Sequence, residues 1–582
     1  MISDNLCISL TVKSSPCPES GSQHGYKTVF IMRIFTLIQL WRKEAAIVLA
    51  MLVTLIGPFL LKSSTDPVLD DNRRRLVIVT PHHEQIREEF AEAFVQHWKQ
   101  ATGQSITIDW RVPGGTSEIA MMLKSEFAAA FEQHWTQTLH HPWSSAVAQA
   151  CLNPKAPADD AARAAFLNSE VSIGIDLFFG GGGFDFQMQA DAGTLVANVG
   201  NGTGLRAIRE KQTDWFSDAV IPLKMSGEAF RDEQDRWCGT CLSSFGIVFN
   251  RDVLRRLGIE KDPEEWRDLA DPRLQGMVAL ADPGRSSSVT KAFEMLIQQE
   301  MQRNVAKLKA QPGTLKPEDV ESEGIRRGWL EGLMLIQRIS ANARYFSDTS
   351  TKIPLDVMRG DAAAGMCIDF YGRSTEEFLR QTHGSSRLGF IMPVGGTSIS
   401  VDPIAMFRGA PEPELATAFM EFVLSERGQK IWAFRSGTPG GPTKAGALRR
   451  LPIRRDFYRP ELIQNMSDGL EMPYEKVGAF NYHPEWTGPA FSAIRFLIRV
   501  ICVDAHKELQ TAWKKLSKAS SSSHATKVFH DLNRVQYDTM MGVINPVLRS
   551  RNKISETQMA RELGDSFRHN YELAAELARR GH

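Results

Sequence analysis

Three times in this chain a strand-like run gives way to a small-residue turn and then to a helical stripe, at residues 80–84, 113–118 and 283–290. No other feature restricts the fold as strongly, because strands alternating with helices pack as a sheet covered by helices. Leu76-Val77-Ile78-Val79-Thr80 is a β-branched run suited to a buried parallel strand. Thr80-Pro81 then offers an N-cap residue followed by proline at the first helical position. Ile86, Phe90, Phe94 and Trp98 recur four apart as one apolar stripe, Gly103 stops it, and residues 105–110 (SITIDW) alternate as a second strand. This β-α-β unit predicts an α/β fold of doubly wound architecture.

Later segments repeat the theme. Pro113-Gly114-Gly115-Thr116-Ser117-Glu118 reads as a second helix start, and residues 128–170 as a helical excursion. Residues 173–183 (IGIDLFFGGGG) read as a strand running into four glycines, followed by Phe184 and Asp185. Further strands are expected at 242–250 (LSSFGIVFN), 277–283 (MVALADP), around 365–372 (GMCIDFYG), 388–393 and 401–407. A long helical stretch runs to about residue 340, and the chain turns helical again after 445 through an extended entry, LPIRRDFYRP. Residues 518–527 (KASSSSHATK) read as a loose serine-rich loop.

Composition narrows the class. The 582 residues carry 68 basic and 68 acidic side chains, with 42% hydrophobic and 23% charged residues. This is globular composition, which excludes a disordered chain, a collagen-like fibre and a polytopic membrane protein. With no basic excess to release counterions, nucleic acid is not an expected partner. Seven cysteines in this length cannot form a disulfide scaffold.

The N-terminus breaks the balance. Residues 45–61 (AAIVLAMLVTLIGPFLL) are 17 positions without a charge, preceded by Arg33, Arg42 and Lys43 and closed by Lys62. That length is the lower limit for a membrane-spanning helix, and the flanking charge keeps the N-terminus cytoplasmic and exports the rest. An uncleaved transmembrane signal-anchor in the inner membrane is favoured, with a cleaved signal as the alternative. Residues 1–44 are then a cytoplasmic segment, or partly an upstream extension if Met32 is the true start. Beyond residue 62 the body carries 62 basic and 65 acidic groups, a net charge of −3.

The three turns share one chemistry. Each predicts a helix N-terminus, whose unpaired N–H groups and partial positive charge suit an anion. Gly115 lets a ligand approach closely, and so do Gly181 and Gly182 in a fourth turn. Thr116, Ser117, Ser286, Ser287 and Ser288 offer hydroxyls, and Arg285 a guanidinium. Trp237-Cys238-Gly239-Thr240-Cys241 resembles a thioredoxin motif, but a strand after it would deny the thiolate its helix N-terminus. Two packed thiols are the preferred reading there, with a disulfide next. His82-His83-Glu84 reads as a polar helix cap, because adjacent histidines on a helix diverge by about 100° and cannot easily share a metal. No nucleophile elbow or catalytic carboxylate pair stands out, so neither an enzyme nor a cofactor is expected.

The order of TPHHEQIREEF, DWRVPGGTSEI, DLFFGGGGFDF, CLSSFGIVFN, ADPGRSSSVTKAFE, GMCIDFYGR and PVGGTSISVDPIAMF, over about residues 75–440, resembles the extracellular solute-binding proteins of ABC importers. The ferric-iron/sugar-phosphate group with the type II periplasmic-binding fold is the most similar. The resemblance implies two α/β lobes around a ligand cleft and a membrane permease as partner. On it, lobe one spans 75–241 and is completed by about 400–445, lobe two spans 242–399, and 446–582 form a C-terminal helical extension. LSSFGIVFN would be the first crossover and the segment near SISVDPIAMF the return.

Ferric-binding members use paired tyrosines, whereas the eight tyrosines here include no adjacent pair, and only Tyr345 and Tyr371 fall near cleft-forming segments. A phosphorylated or other anionic organic solute is therefore preferred, with ferric iron as the alternative. The expected ligand contacts are Thr80, His82, Gly115, Thr116, Ser117, Gly181, Gly182 and Asp185 from lobe one. Lobe two would add Ser286, Ser287, Ser288, Asp369 and Tyr371. Asp185 or Asp369 would accept hydroxyl hydrogens from a sugar, unless they only cap neighbouring turns. A ligand-sensing ectodomain and, third, an enzyme on the same fold are the competing functions.

Overall fold

The computed structural model describes Met51, Leu52 and residues 74–581, apart from 158, 312, 314, 385–386, 445, 476–479, 520–522 and 551. The predicted anchor at 45–61 lies outside the described residues except for Met51 and Leu52, which are helical.

Fourteen strands follow in chain order among the described residues. They are β1 (Arg74–Val79), β2 (Ile106–Arg111), β3 (Leu177–Phe179), β4 (Leu195–Val196), β5 (Lys224–Met225), β6 (Glu228–Ala229) and β7 (Cys238–Ser243). Next come β8 (Phe245–Asn250), β9 (Val278–Ala281), β10 (Ala343–Ser347), β11 (Ala364–Ile368), β12 (Leu388–Ile391), β13 (Ser400–Phe407) and β14 (Leu451–Pro452).

These strands make two large sheets and a hairpin. The first sheet runs β14-β7-β13-β3-β1-β2, with β4 also on β13, and the second runs β10-β9-β11-β8-β12. β1 is parallel to β2 and β3, and β9 is parallel to β10 and β11, the pairings that βαβ crossovers build. β13 is antiparallel to β3 and β7, and β8 is antiparallel to β11 and β12. Only Ser244 separates β7 of the first sheet from β8 of the second, and the chain returns between Ile391 and Ser400. Two neighbouring chain crossings therefore join the sheets, and the chain passes between them again from β14 to the helices beyond residue 484 that pack with the second sheet. The β5–β6 hairpin packs with the first core through Met225.

Helix boundaries depart from the sequence reading where local hydrogen bonding decides them. The helix after β1 is Glu84–Thr102, capped by His83 rather than Thr80. Thr80 stays with the sheet, its N–H donating to the Arg111 carbonyl at 2.9 Å, and its hydroxyl accepts from the His82 N–H at 3.0 Å. The GMCIDFYG segment is a strand only to Ile368, and Asp369 opens the helix Asp369–His383. The strand within 173–183 is confined to Leu177–Phe179, and Ser523–Phe529 is helical within the serine-rich segment. Gly103 ends the first helix in a left-handed conformation at φ 75°, as its position predicted.

The C-terminal helices belong to the second core. Pro484–Val503 is apolar and long enough to cross a membrane, yet 67% of its most apolar window is buried inside the protein. Ile494, Leu497, Phe567 and Tyr571 join the core that covers the second sheet. The Tyr571 hydroxyl donates to the Ile501 carbonyl at 3.1 Å and accepts from Gln337 Nε2 at 3.0 Å, while the Trp329 indole donates to the Val535 carbonyl at 2.8 Å. An appendage would not need such buried polar joints. Tyr571→Ala is expected to lower unfolding free energy by about 3–5 kcal/mol, and Tyr571→Phe by about 1–2 kcal/mol through the lost hydroxyl bonds. Urea melts of the two variants check this.

Candidate functional site

A cavity of 860 Å³ lies between the two sheets, at the ends of their strands. Five helices of ten residues or more begin at its wall: Glu84–Thr102, Thr116–Gln133, Gly183–Ala192, Ser287–Lys309 and Asp369–His383. A helix start carries N–H groups without intrahelical partners and the positive end of a helix dipole. The glycines make this approach possible. A side chain at Gly180 (φ 87°) would sit 2.3 Å from the His82 ring, and one at Gly181 (φ 126°) 2.8 Å from the Thr116 methyl. The fourth start is capped by Ser286, whose hydroxyl accepts from the Val289 N–H at 3.4 Å.

Ten of the expected contacts line this cavity. From the first sheet's side these are His82, Gly115, Thr116, Ser117, Gly181, Gly182 and Asp185; from the second they are Ser286, Ser288 and Tyr371. Thr80 does not line it: the residue is fully buried, and its hydroxyl is held by the turn behind His82. Asp369 does not line it either. Its carboxylate accepts from the Phe370 N–H at 2.8 Å and pairs with Arg450 at 3.3 Å, which makes it a turn cap and an ion-pair partner. Ser287 is the first residue of its helix, and the expectation for its hydroxyl lies outside the described residues.

Most charge in the cavity is already neutralised. Arg450, buried at the floor, lies 2.8 Å from Asp402 and 3.3 Å from Asp369. Burial opposes the Arg450 charge, but Asp402 and Asp369 outweigh it and hold the group above the usual arginine range. The Asp402 carboxylate is also 3.5 Å from His82 Nε2. Burial lowers the His82 pKa despite that neighbour, and the ring packs edge-on to Phe179 at 4.6 Å. On another wall, Lys291 lies 3.3 Å from Glu228 and 3.1 Å from Glu294, with its ammonium 3.4 Å from the Tyr482 ring centroid. Burial works against that charge, and the two carboxylates raise it above the ordinary lysine range.

Four groups are exceptions, and two of them, the exposed Glu118 and Asp348, line the cavity without a basic partner among the described residues. Arg285, at the start of the 287–309 helix, is exposed, lines the cavity and pairs with no carboxylate among the described residues. Burial pushes the Asp185 carboxyl up to about 6, against the opposing pull of the Thr116 hydroxyl and the Arg495 guanidinium.

Sequence reasoning missed Arg450, Lys291, Glu228, Asp402 and Tyr482, which the fold brings to the cavity. Apart from Lys291, which pairs with Glu294 three positions on, no spacing signal could have found them: Arg450 meets Asp369 across 81 positions and Tyr482 meets Glu294 across 188. The WCGTC motif is resolved by geometry. Cys238 and Cys241 lie on β7, both buried and unbonded to each other, with burial raising Cys238 to about 12 and Cys241 well above the ordinary thiol range.

With this geometry in view, residues 209–461 match the model of a family described as bacterial extracellular solute-binding protein. That match bears out the resemblance to extracellular solute-binding proteins. Among curated relatives, the chain is 24% identical over 225 residues to a phosphoglycerate transport regulatory protein, PgtC, of Salmonella typhimurium, covering 38% of this chain and 47% of that protein. It is 22% identical over 192 residues to an uncharacterised protein of Haemophilus influenzae, covering 33% and 46%. The chain thus spans about half the length of the curated relatives it matches. Solved structures include the periplasmic binding protein AfuA of Actinobacillus pleuropneumoniae with fructose-6-phosphate bound. That likeness has 18% identity, TM-score 0.39 and coverage of 61% of this chain and 81% of that one. Iron-bound HitA of Pseudomonas aeruginosa shares 15% identity at TM-score 0.43, over 73% and 99%.

The raised Asp185 carboxyl gives a signed pH test. With its folded pKa at about 6, the folded protein holds the proton more tightly than the unfolded chain. This contribution therefore favours the fold at low pH and is lost as pH rises through about 6. Asp185→Asn removes the charge and keeps the shape. Its melting temperature relative to the parent is expected to rise between about pH 4 and about pH 7.5, as followed by scanning fluorimetry.

Proposed function

We propose that the protein is the substrate-binding component of an ABC importer, capturing a small phosphorylated or otherwise anionic organic solute in the interlobe cleft and presenting it to a membrane permease. One observation carries the choice of an anion. Five helix N-termini meet the cavity together with Arg285, which pairs with no carboxylate among the described residues, while its buried cations Arg450 and Lys291 are matched by carboxylates. The body's net charge of −3 provides no broad attractive field, so local dipoles, hydroxyls and one guanidinium would hold the ligand. Ser286, Ser288, Thr116, Ser117 and the Gly181-Gly182 turn supply that set, and Asp185, when protonated, adds a donor. The phosphoglycerate transport regulatory name of the Salmonella relative agrees with a phosphorylated ligand.

Ferric iron fits less well. Among the described residues only two tyrosines, Tyr371 and Tyr482, line the cavity, and the hydroxyl of the second is committed to Glu294 at 3.1 Å. The protein works outside the cytoplasm on this reading, and the apolar run at 45–61 with its preceding basic residues supports a membrane tether. Ligand bound across both lobes would stabilise the closed state by its differential affinity.

A ligand-sensing ectodomain is the second reading, favoured by the tether and by the regulatory name of the same relative. It would bind the same solute without supporting uptake through a reconstituted permease.

Arg285→Ala is expected to weaken binding of a phosphomonoester by about 1–3 kcal/mol, and Ser288→Ala by about 1 kcal/mol. Calorimetry with 3-phosphoglycerate and hexose 6-phosphates checks this. Unchanged affinity in both variants would overturn the assignment of the anion pole.

A further inference from the structure

The segment 480–495 lies beyond the matched family region, yet it both lines the cavity and touches both sides of it. On the second lobe it is firmly seated. Trp486, Ala490, Ala493 and Ile494 lie in the second core. Gln298 Nε2 donates to the His483 carbonyl at 2.8 Å and to the Thr487 hydroxyl at 2.6 Å, and the Tyr482 hydroxyl donates to Glu294 at 3.1 Å.

The same segment reaches the first lobe at two independent points, and an ion pair beside it joins the lobes directly. The Tyr482 N–H donates to the Ser226 carbonyl in the β5–β6 hairpin at 2.8 Å. The approach is so close that a side chain on Gly227 (φ 79°) would sit 1.7 Å from the Tyr482 carbonyl oxygen, so only glycine fits. Phe491 meets Phe184 with ring centroids 5.1 Å apart, and Phe184 remains 48% exposed beside it. Beside Tyr482, Glu228 of β6 pairs at 3.3 Å with Lys291 of the second-lobe helix, and its carboxylate also accepts from the Ser398 hydroxyl at 2.6 Å.

We infer that residues 480–495 form a third wall of the ligand cleft and strap the β5–β6 hairpin to the second lobe, so that the protein rests closed before ligand arrives. The wall rests on the solute-binding reading; the strap does not. An aromatic pair, a backbone hydrogen bond and a half-buried ion pair must all part when the lobes open. Ligand exchange is then limited by release of the strap, and Tyr482 and Phe491 help select what fits. A receptor held closed in this way discriminates by the shape of the closed cavity as well as by affinity of the open one.

Single-molecule energy transfer on the full chain tests the strap, with dyes joined to genetically encoded keto residues at the exposed positions Lys99 and Lys307. Glu228→Gln combined with Phe184→Ala changes only first-lobe side chains, and Gly227→Ala dislodges Tyr482 by a separate route. Without added ligand, the parent is expected to show one high-transfer population. Each variant is expected to send about half of its molecules or more to lower transfer while still melting cooperatively. A parent that is mostly low-transfer, or variants with unchanged distributions, would overturn the strap. Calorimetry with 3-phosphoglycerate and hexose 6-phosphates judges the receptor reading separately. A chain that binds none of them yet redistributes on mutation keeps the strap and loses the receptor.

Discussion

A buried guanidinium fastens the two sheets together. Arg450 sits 5% exposed between Asp402 of β13 and Asp369 at the start of a second-lobe helix, 2.8 and 3.3 Å away. Its charge also lies 5.3 Å from the centre of the Phe370 ring, and its backbone N–H donates to the Trp432 carbonyl. Removing it would strand two buried carboxylates, a situation far costlier than the pair is stabilising. The cleft opens around this point because β7 runs on into β8 through Ser244 while β12 returns to β13 alongside.

This arrangement separates the charges that build the site from those free to recognise a ligand. Arg450 and Lys291 are each matched by two carboxylates, so their electric fields largely close on themselves. What else faces the cavity is weaker and directional: helix N-termini, serine and threonine hydroxyls, and Arg285. Such donors reward a compact anion of suitable shape more than charge in general. They suit a body whose own net charge is slightly negative.

Local order was legible in the sequence wherever its cause was local. The β1 run, the apolar stripe of the helix that follows and the stop at Gly103 all depend on neighbours a few residues apart. So do the helix starts at 116 and 287, which brought most of the expected hydroxyls and glycines to one cavity. Thr80 does not reach the cavity, and Asp369 takes the turn-capping role that the sequence reading kept open for it. Their side chains looked available at strand ends, but the turn at His82 holds the first and distant Arg450 holds the second. The C-terminal helices were read as an extension because nothing local reports that Tyr571 and Phe567 complete a core begun some three hundred residues earlier.

The central claim is that this cleft holds a phosphorylated organic anion, and native mass spectrometry of the detergent-solubilised full chain tests it most directly. The account predicts a co-purified small molecule that is released on unfolding and loses phosphate on fragmentation. A coloured protein carrying iron in place of such a molecule would contradict it.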